Sequence, residues 1–189
     1  MTPVVIPVVI PVVIPVHAEP IDTERLALLP LRAEDADAMA VVLSDPALHT
    51  FIGGSPATVE ELRARYLRLV AGSPDPAVSW CNWIISSAGS PAGYVQATVV
   101  KDGGGDLTAE IAWVVGTPWQ GRGIAKEAAR GLVRWLEGQG VRTVVAHVHP
   151  EHGASAAVAR AAGLTPTDER HDGEVRWRRQ WQGRRQERG

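Results

Sequence analysis

The stretch VVGTPWQGRGIAK, residues 114–126, combines the end of a predicted strand, a glycine-rich turn and the start of a predicted helix. Gly121 and Gly123 let the backbone approach a ligand closely, because neither carries a Cβ. The first amide groups of a helix have no partners within it, and the helix dipole places partial positive charge at the same end. Arg122 and Lys126 add two full charges. The stretch therefore predicts a site for phosphate or pyrophosphate.

Two common nucleotide motifs fit this stretch poorly. A dinucleotide-binding turn, G-x-G-x-x-G/A, ends in glycine or alanine, whereas this chain has Lys126. That motif also needs an acidic residue about 20 residues further on, and Glu137 falls inside the predicted helix. A Walker loop ends in Gly-Lys-Ser or Gly-Lys-Thr, and the chain contains neither. A third pattern, Gln/Arg-x-x-Gly-x-Gly/Ala, is satisfied in full by Gln120, Gly123 and Ala125.

Composition and charge are those of one ordinary globular domain. The chain has 189 residues, of which 45% are hydrophobic and 21% charged, and its formal net charge is −2. This length suits one domain with a sizeable core and is short for two. The near-neutral charge favours neither nucleic acid nor a membrane as partner. The single cysteine, Cys81, excludes an internal disulfide and a cysteine-based zinc site, which favours a reducing, cytoplasmic setting.

The remaining sequence has the order of elements typical of an α+β domain. Thr58 followed by Glu61 predicts a capping box at the start of one helix. Short breaks rich in Gly, Ser, Pro and Asp separate the middle strands, which favours an antiparallel meander. We predict strands over residues 25–31, 80–86, 92–101, 108–115, 142–149 and 174–181, and helices over residues 33–43, 58–70, 118–138 and 154–162.

Four blocks of sequence occur in a defined order along the chain. They are TERL (23–26) with LRAEDA (31–36) and LSDP (43–46), then AEIAW (109–113), WQGRGIAKEAAR (119–130), and HPEHGAS (149–155) with AGL (162–164). Together they resemble the RimJ/RimL-like branch of the GNAT superfamily of N-acetyltransferases. The resemblance covers residues 21–180, and the pattern at Gln120, Gly123 and Ala125 is similar to that family's coenzyme A pyrophosphate signature.

This resemblance implies a GNAT fold, an α+β architecture with a mixed, mainly antiparallel sheet whose central strands splay apart between flanking helices. It implies acetyl-CoA as the donor, with the acetyl-pantetheine arm between the splayed strands and direct attack by an amine. It implies no metal, because a thioester is already activated and the main task is alignment. The residues implied for cofactor binding are Ala112, Trp113, Val114, Val115, Gln120, Gly121, Arg122, Gly123, Ile124, Ala125, Lys126 and His152.

Two residues are implied as catalytic. Glu110 lies on the strand before the turn and is implied as the general base, taking a proton from the acceptor ammonium through water. A structural carboxylate is the alternative interpretation. Ser155 matches a serine that would protonate the departing thiolate of coenzyme A. It could equally cap the helix of residues 154–162.

Three histidines lie close together near the second half of the resemblance. His152 stands where many members of the family have asparagine, so it contacts the cofactor or faces the acceptor instead. His147 and His149 share one face of a predicted strand, and with His152 they suggest a metal cluster. No carboxylate or cysteine completes a ligand set, so an acid/base role or an acceptor contact is favoured over a metal site.

The acceptor is left open by the sequence. We favour a primary amine of a small molecule, an antibiotic-like or metabolite amine, because GYVQ (93–96) and FIGG (51–54) resemble segments of aminoglycoside acetyltransferases. The alternatives are a protein N-terminus, as for ribosomal-protein modifiers, and a non-catalytic acyl-CoA-binding module. The chain is also compatible with a homodimer. An acidic rim for a cationic acceptor could come from Asp35, Asp37, Glu60 and Glu61.

The two ends of the chain are expected to lie outside the domain. Residues 3–14 are PVVI three times over, too short a run to span a bilayer. Proline at every fourth residue excludes a stable helix or a central strand. We therefore predict residues 1–20 as a low-complexity tail, residues 21–182 as the acetyltransferase domain and residues 183–189 as a basic tail. That tail carries no nucleic-acid recognition motif.

Overall fold

An eight-stranded sheet forms the centre of the computed structural model, which describes residues 15–181. The strands lie in the order β1-β2-β3-β4-β5-β6-β8-β7, and every neighbouring pair is antiparallel except β5 and β6. The mixed, mainly antiparallel α+β architecture is therefore confirmed. The strands are β1 (Ile21–Asp22), β2 (Leu26–Pro30), β3 (Val78–Ser87), β4 (Ser90–Lys101), β5 (Leu107–Val115), β6 (Val141–Val148), β7 (Thr165–His171) and β8 (Glu174–Gln180).

Helices pack on both faces of this sheet. The described helices are α1 (Ala36–Val42), α2 (His49–Ile52), α3 (Val59–Ala71), α4 (Ile124–Gly138) and α5 (Gly153–Ala161). Apolar residues of α4 and α5 join the larger hydrophobic cluster with one face of the sheet, and those of α1 and α3 form a second cluster on the other face. The capping box at Thr58 and Glu61 is confirmed at the start of α3.

Alternation along β4 determines which side chains face each layer. Val95, Ala97 and Val99 are buried in the larger cluster, on the α4 side. Tyr94 and Gln96 alternate with these residues along β4 and face a cavity beneath α3. The period of two along a strand thus gives the α3 side of the sheet a polar row.

The parallel strands β5 and β6 separate part-way along their length. Their pairing runs from Leu107 opposite Val141 to Glu110 opposite Val145. Beyond these residues β5 continues to Val115 and β6 to Val148 without pairing to each other, and a cavity is lined by both of these separated lengths. The splay of the central strands is confirmed, and Glu110 is the last residue of β5 that pairs with β6.

Three elements were not predicted from the sequence. Strand β7 has the sequence TPTDERH and forms the edge of the sheet, with most of its residues exposed. It carries no apolar alternation, because an edge strand of this kind buries neither face. Strand β1 and helix α2 contain two and four residues, too few for a periodic pattern.

The segment before β1 packs against the sheet. Val16 is buried in the larger cluster, and its backbone N–H donates to the hydroxyl of Ser79 at 2.9 Å. The indole of Trp83 donates to the carbonyl of Glu19 at 2.7 Å. The packed domain therefore begins before Ile21, the boundary that the sequence predicts, because these contacts join residues more than 60 positions apart. The PVVI repeat and the basic tail lie outside the described residues.

Within residues 15–181, no helix combines the length and the apolar character needed to cross a bilayer.

Candidate active site

The glycine-rich turn after β5 opens directly into α4. Gly121 and Gly123 have φ of +73° and +77°, in the left-handed region that favours glycine. Gly123 is the N-cap of α4, and no side chain caps this end of the helix. The first helical hydrogen bond runs from Glu127 N–H to the carbonyl of Gly123, at 3.0 Å. The amide groups of residues 124–126 therefore have no partner within the helix and are free for an anion.

Two polar residues of the turn have partners within the protein. The side-chain amide of Gln120 donates to the carbonyl of Val115 at 3.0 Å, which holds the turn against the end of β5. The carbonyl of Arg122 accepts a hydrogen bond of 3.3 Å from Nη1 of Arg25. Both contacts hold the backbone of the turn in place from within the protein.

A cavity of about 520 Å³ lies between the separated ends of β5 and β6, the turn and the start of α5. We call it the interstrand cavity. All residues that the sequence assigns to cofactor binding line it, except Arg122. Sequence reasoning missed Ala47, Leu48 and Phe51, which also line it. They lie in a short 3₁₀ turn and in α2, where no periodic signal marks an inward face.

Ser155 and His152 meet at the start of α5, where both line the interstrand cavity. His152 is the N-cap of the helix, and its Nδ1 accepts a hydrogen bond of 3.2 Å from the backbone N–H of Ser155. The interpretation of Ser155 as the cap is therefore wrong, and its hydroxyl is not committed to that task. Burial, together with the nearby His149, lowers the pKa of His152, which keeps the ring neutral.

Glu110 and His147 are joined by a hydrogen bond at the point where β5 and β6 separate. The distance from Nδ1 of His147 to Oε1 of Glu110 is 3.0 Å. The Glu110 side chain is 61% exposed, whereas that of His147 is 16% exposed. His147 lines the interstrand cavity and Glu110 does not. Because the carboxylate accepts from Nδ1–H, a neutral imidazole carries its lone pair on Nε2.

A second cavity, of about 340 Å³, lies beneath α3 on the opposite side of β4 and β5 from α4. We call it the α3 cavity. It shares Leu48 and Val114 with the interstrand cavity. Asn82 on β3 lies opposite Gln96 on β4, and Gln96 lies opposite Ala112 on β5. Ala112 and Glu110 are two residues apart on one strand and so face the same side. This row connects the floor of the α3 cavity with Glu110.

The family model described as acetyltransferase (GNAT) domain matches residues 25–165 of the chain. The chain belongs to the GNAT family. As a GNAT acetyltransferase it is an enzyme that takes its acetyl group from acetyl-CoA. No protein of curated function matches the sequence.

Solved structures with the same fold include three acetyltransferases of low sequence identity to this GNAT enzyme. An acetyltransferase from Bacillus anthracis is 20% identical, with a TM-score of 0.69 over 86% of this chain and 98% of its own. RimL, a ribosomal L7/L12 alpha-N-protein acetyltransferase in complex with coenzyme A, gives the same identity, coverage and TM-score. The microcin C7 self-immunity acetyltransferase MccE, in complex with acetyl-CoA and AMP, is 15% identical, with a TM-score of 0.68 over 84% of this chain and 93% of its own.

The lining of the interstrand cavity suits the donor of a GNAT enzyme. Free amide groups and Lys126 meet at one end, where a pyrophosphate needs positive charge. Trp119 and the unpaired residues of β5 form the walls, and their backbone groups lack strand partners on the β6 side. Glu174, the one acid among the described lining residues, lies on β8 rather than at the turn.

The three histidines named from the sequence all line the interstrand cavity. His149 follows β6, and its Nδ1 accepts from the backbone N–H of Glu151 at 3.2 Å. Within residues 15–181, no three His, Cys, Asp or Glu side chains are grouped so as to hold a metal ion. Their contacts with Glu110, Glu151 and Ser155 instead give each imidazole a separate hydrogen-bond partner.

Proposed function

We propose that this GNAT enzyme acetylates the primary amine of a small molecule, with the acceptor in the α3 cavity and the donor in the interstrand cavity. The observation that carries the proposal is that both cavities are lined by Leu48 and Val114. Groups that enter from the two sides therefore meet near Val114, at the end of the central strand β5. A volume of about 340 Å³ is within the usual range for small-molecule sites.

The proposal assigns acetyl-CoA to residues at two places. The amide groups of residues 121–126, with the ammonium of Lys126, would hold the pyrophosphate. The backbone groups of residues 112–115 that face β6 have no partner on that strand and would bind the pantetheine arm as an additional strand. Bound there, acetyl-CoA supplies a thioester that an amine can attack without further activation.

Proton removal falls to Glu110 and His147. A primary amine is mostly protonated near neutral pH, and only its free form has the lone pair for attack. The exposed carboxylate of Glu110 is accessible to water, and its bond to His147 fixes the orientation of both groups. We assign the pair the role of accepting this proton, through water at Glu110.

Ser155 is assigned the opposite role, donating a proton to the thiolate of coenzyme A. Its side chain lines the interstrand cavity, and the N-cap of α5 is supplied by His152 instead. A helix N-terminus also stabilises a developing negative charge, which suits a departing thiolate. Water can replace the hydroxyl, so the contribution of Ser155 is expected to be smaller than that of Glu110.

Release of the coenzyme A thiol during incubation with small primary amines and with short peptides tests the proposed function. The protein's own thiol does not interfere, because burial raises the pKa of Cys81 to about 12. Turnover with small amines supports the proposal. Turnover confined to peptide N-termini would establish the protein-modifying alternative. Tight binding of acetyl-CoA without thiol release from either set would count against both classes of acceptor.

A further inference from the structure

We infer that the acceptor carries an anionic group, a carboxylate or a phosphate, and that Arg65 binds this group in the α3 cavity. The inference rests on the proposed function, because it takes the α3 cavity as the acceptor site. It specifies the class of acceptor, which neither the fold nor the family determines.

The charge of the α3 cavity is the first support. Arg65 is the permanently charged side chain among the described residues that line it, and none of these residues is acidic. His49 also lines the cavity, and its Nδ1–H donates to the carbonyl of Gly53 at 3.0 Å. The other polar side chains that line it are uncharged: Ser55, Asn82, Gln96, Tyr66, Tyr94 and Trp83, whose indole donates to the carbonyl of Glu19.

Arg65 has no acidic partner in the described part of the chain. Arg63, two residues earlier on α3, is paired with Asp37, whereas none of the ion pairs within residues 15–181 includes Arg65. A guanidinium presents several donors in one plane and binds carboxylates and phosphates through two parallel hydrogen bonds. Arg65 is therefore available to an anionic ligand.

The two phenols of the cavity also favour an anionic ligand. Burial raises the pKa of both Tyr66 and Tyr94, so both remain protonated and can donate a hydrogen bond. The positive charge of Arg65 opposes this rise in pKa at both phenols, and all three residues line the same cavity. Asp35 also acts on Tyr66, but its carboxylate accepts the backbone N–H of Arg32 and does not line the cavity.

The acidic rim that the sequence suggested for a cationic acceptor does not line the cavity. Asp37 is paired with Arg63, and Glu61 caps α3 through the backbone N–H of Thr58. Neither they nor Asp35 and Glu60 face the α3 cavity. A polycationic amine would therefore meet Arg65 without a compensating carboxylate, which is unfavourable.

Pairs of amines that differ in the presence of one anionic group test the inference. Tyrosine with tyrosinamide examines a carboxylate, and phosphoethanolamine with ethanolamine examines a phosphate. Calorimetry with the coenzyme A-loaded enzyme measures the binding of each amine to wild type, to Arg65→Gln and to the control Arg68→Gln. Arg68 is exposed on the same helix and does not line the cavity.

In at least one pair, wild type and Arg68→Gln are expected to bind the amine with the carboxylate or phosphate about 10-fold to 100-fold more tightly than the amine without it. Arg65→Gln is expected to lose this preference, while its affinity for the amine without the anionic group stays unchanged. Absence of a charge preference in both pairs, or a preference that survives Arg65→Gln, overturns the inference.

Thiol release with the same four amines separates this inference from the proposed function. Turnover without a charge preference overturns the anionic acceptor and leaves the acetyltransferase proposal intact. Charge-selective binding that depends on Arg65, without thiol release from any amine, supports the anion site and counts against the proposed reaction alone.

Discussion

Arg25 and Glu127 are 102 residues apart in the chain and are joined by two hydrogen bonds of 2.7 Å, from the backbone N–H and from Nε of the arginine. The hydroxyl of Thr23 donates a third bond to the same carboxylate, also at 2.7 Å. The Glu127 side chain is 7% exposed. Since Arg25 also donates to the carbonyl of Arg122, the carboxylate connects the loop between β1 and β2 to the glycine-rich turn.

Removing the charge of Glu127 is expected to destabilise the fold in a pH-dependent way. Burial alone would raise the pKa of Glu127, but the hydrogen bonds from Thr23 and Arg25 outweigh it and lower the pKa below 4.5. Glu127 therefore stabilises the folded state above pH 4.5, and this contribution is lost as the pH falls through the lower folded pKa. Glu127→Gln is expected to cost about 2 kcal/mol at pH 7.

Urea unfolding of wild type and Glu127→Gln at pH 7 and at acid pH measures this effect. The difference in free energy of unfolding should shrink at acid pH, where the wild-type carboxylate is protonated too. Glu137→Gln, at an exposed position of the same helix, is the control and should change little. A difference that stays constant with pH would show that the charge of Glu127 is not what stabilises the loop.

A carboxylate at position 123 is expected to abolish acetyl-CoA binding. Gly123 has φ of +77° and lies at the end of α4 proposed to hold the pyrophosphate. Aspartate and asparagine have the same shape and tolerate this backbone region comparably, but only aspartate adds a negative charge. Calorimetry of acetyl-CoA should show a modest loss for Gly123→Asn and no measurable binding for Gly123→Asp. Equal affinities of the two folded variants for acetyl-CoA would show that the pyrophosphate does not bind at this turn.

The elements around the glycine-rich turn were predicted from a local signal. The end of β5, the two glycines and the start of α4 lie within residues 114–126, and nearly all residues assigned there to the cofactor line one cavity. What the sequence missed depends on partners far apart in the chain. Val16 is held by a hydrogen bond to Ser79, and the register of β5 and β6 places His147 within hydrogen-bond distance of Glu110. The sequence pattern within one segment does not indicate such a long-range contact.

Helix α5 shows a different limit of sequence analysis. His152 and Ser155 are three residues apart, and both carry a group that can accept a hydrogen bond from a backbone amide. Where the first turn of the helix begins decides which of them is the cap. Since predicted helix ends are uncertain by a few residues, the pattern left both assignments open.

Deleting residues 2–18 is expected to destabilise the domain. The deletion removes the buried Val16 side chain, worth about 2 kcal/mol, and leaves the buried Ser79 hydroxyl without the amide that donates to it, at about 1 kcal/mol more. For a chain of this size the melting temperature should fall by about 5–10 °C. Val16→Ala should reproduce part of this loss in a thermal scan. An unchanged melting temperature in both variants would show that the segment contributes nothing to the fold.

Glu110→Gln is expected to reduce kcat by about 10²-fold to 10⁴-fold, because the amide keeps the shape and the hydrogen bond to His147 but cannot accept the proton. His147→Gln should lose a similar factor, and the double variant should lose no more than either single one, because the two residues act as a pair. Acetyl-CoA affinity should barely change. Activity of Glu110→Gln should recover as the pH rises, since free amine then becomes plentiful without a base.

Glu151→Gln, which changes an exposed carboxylate after β6, is the matched control and should run at the wild-type rate. The measurement is the pH–rate profile of each variant with the amine that supports turnover. If Glu110→Gln matches wild type while His147→Gln does not, the imidazole is the base and the carboxylate is structural.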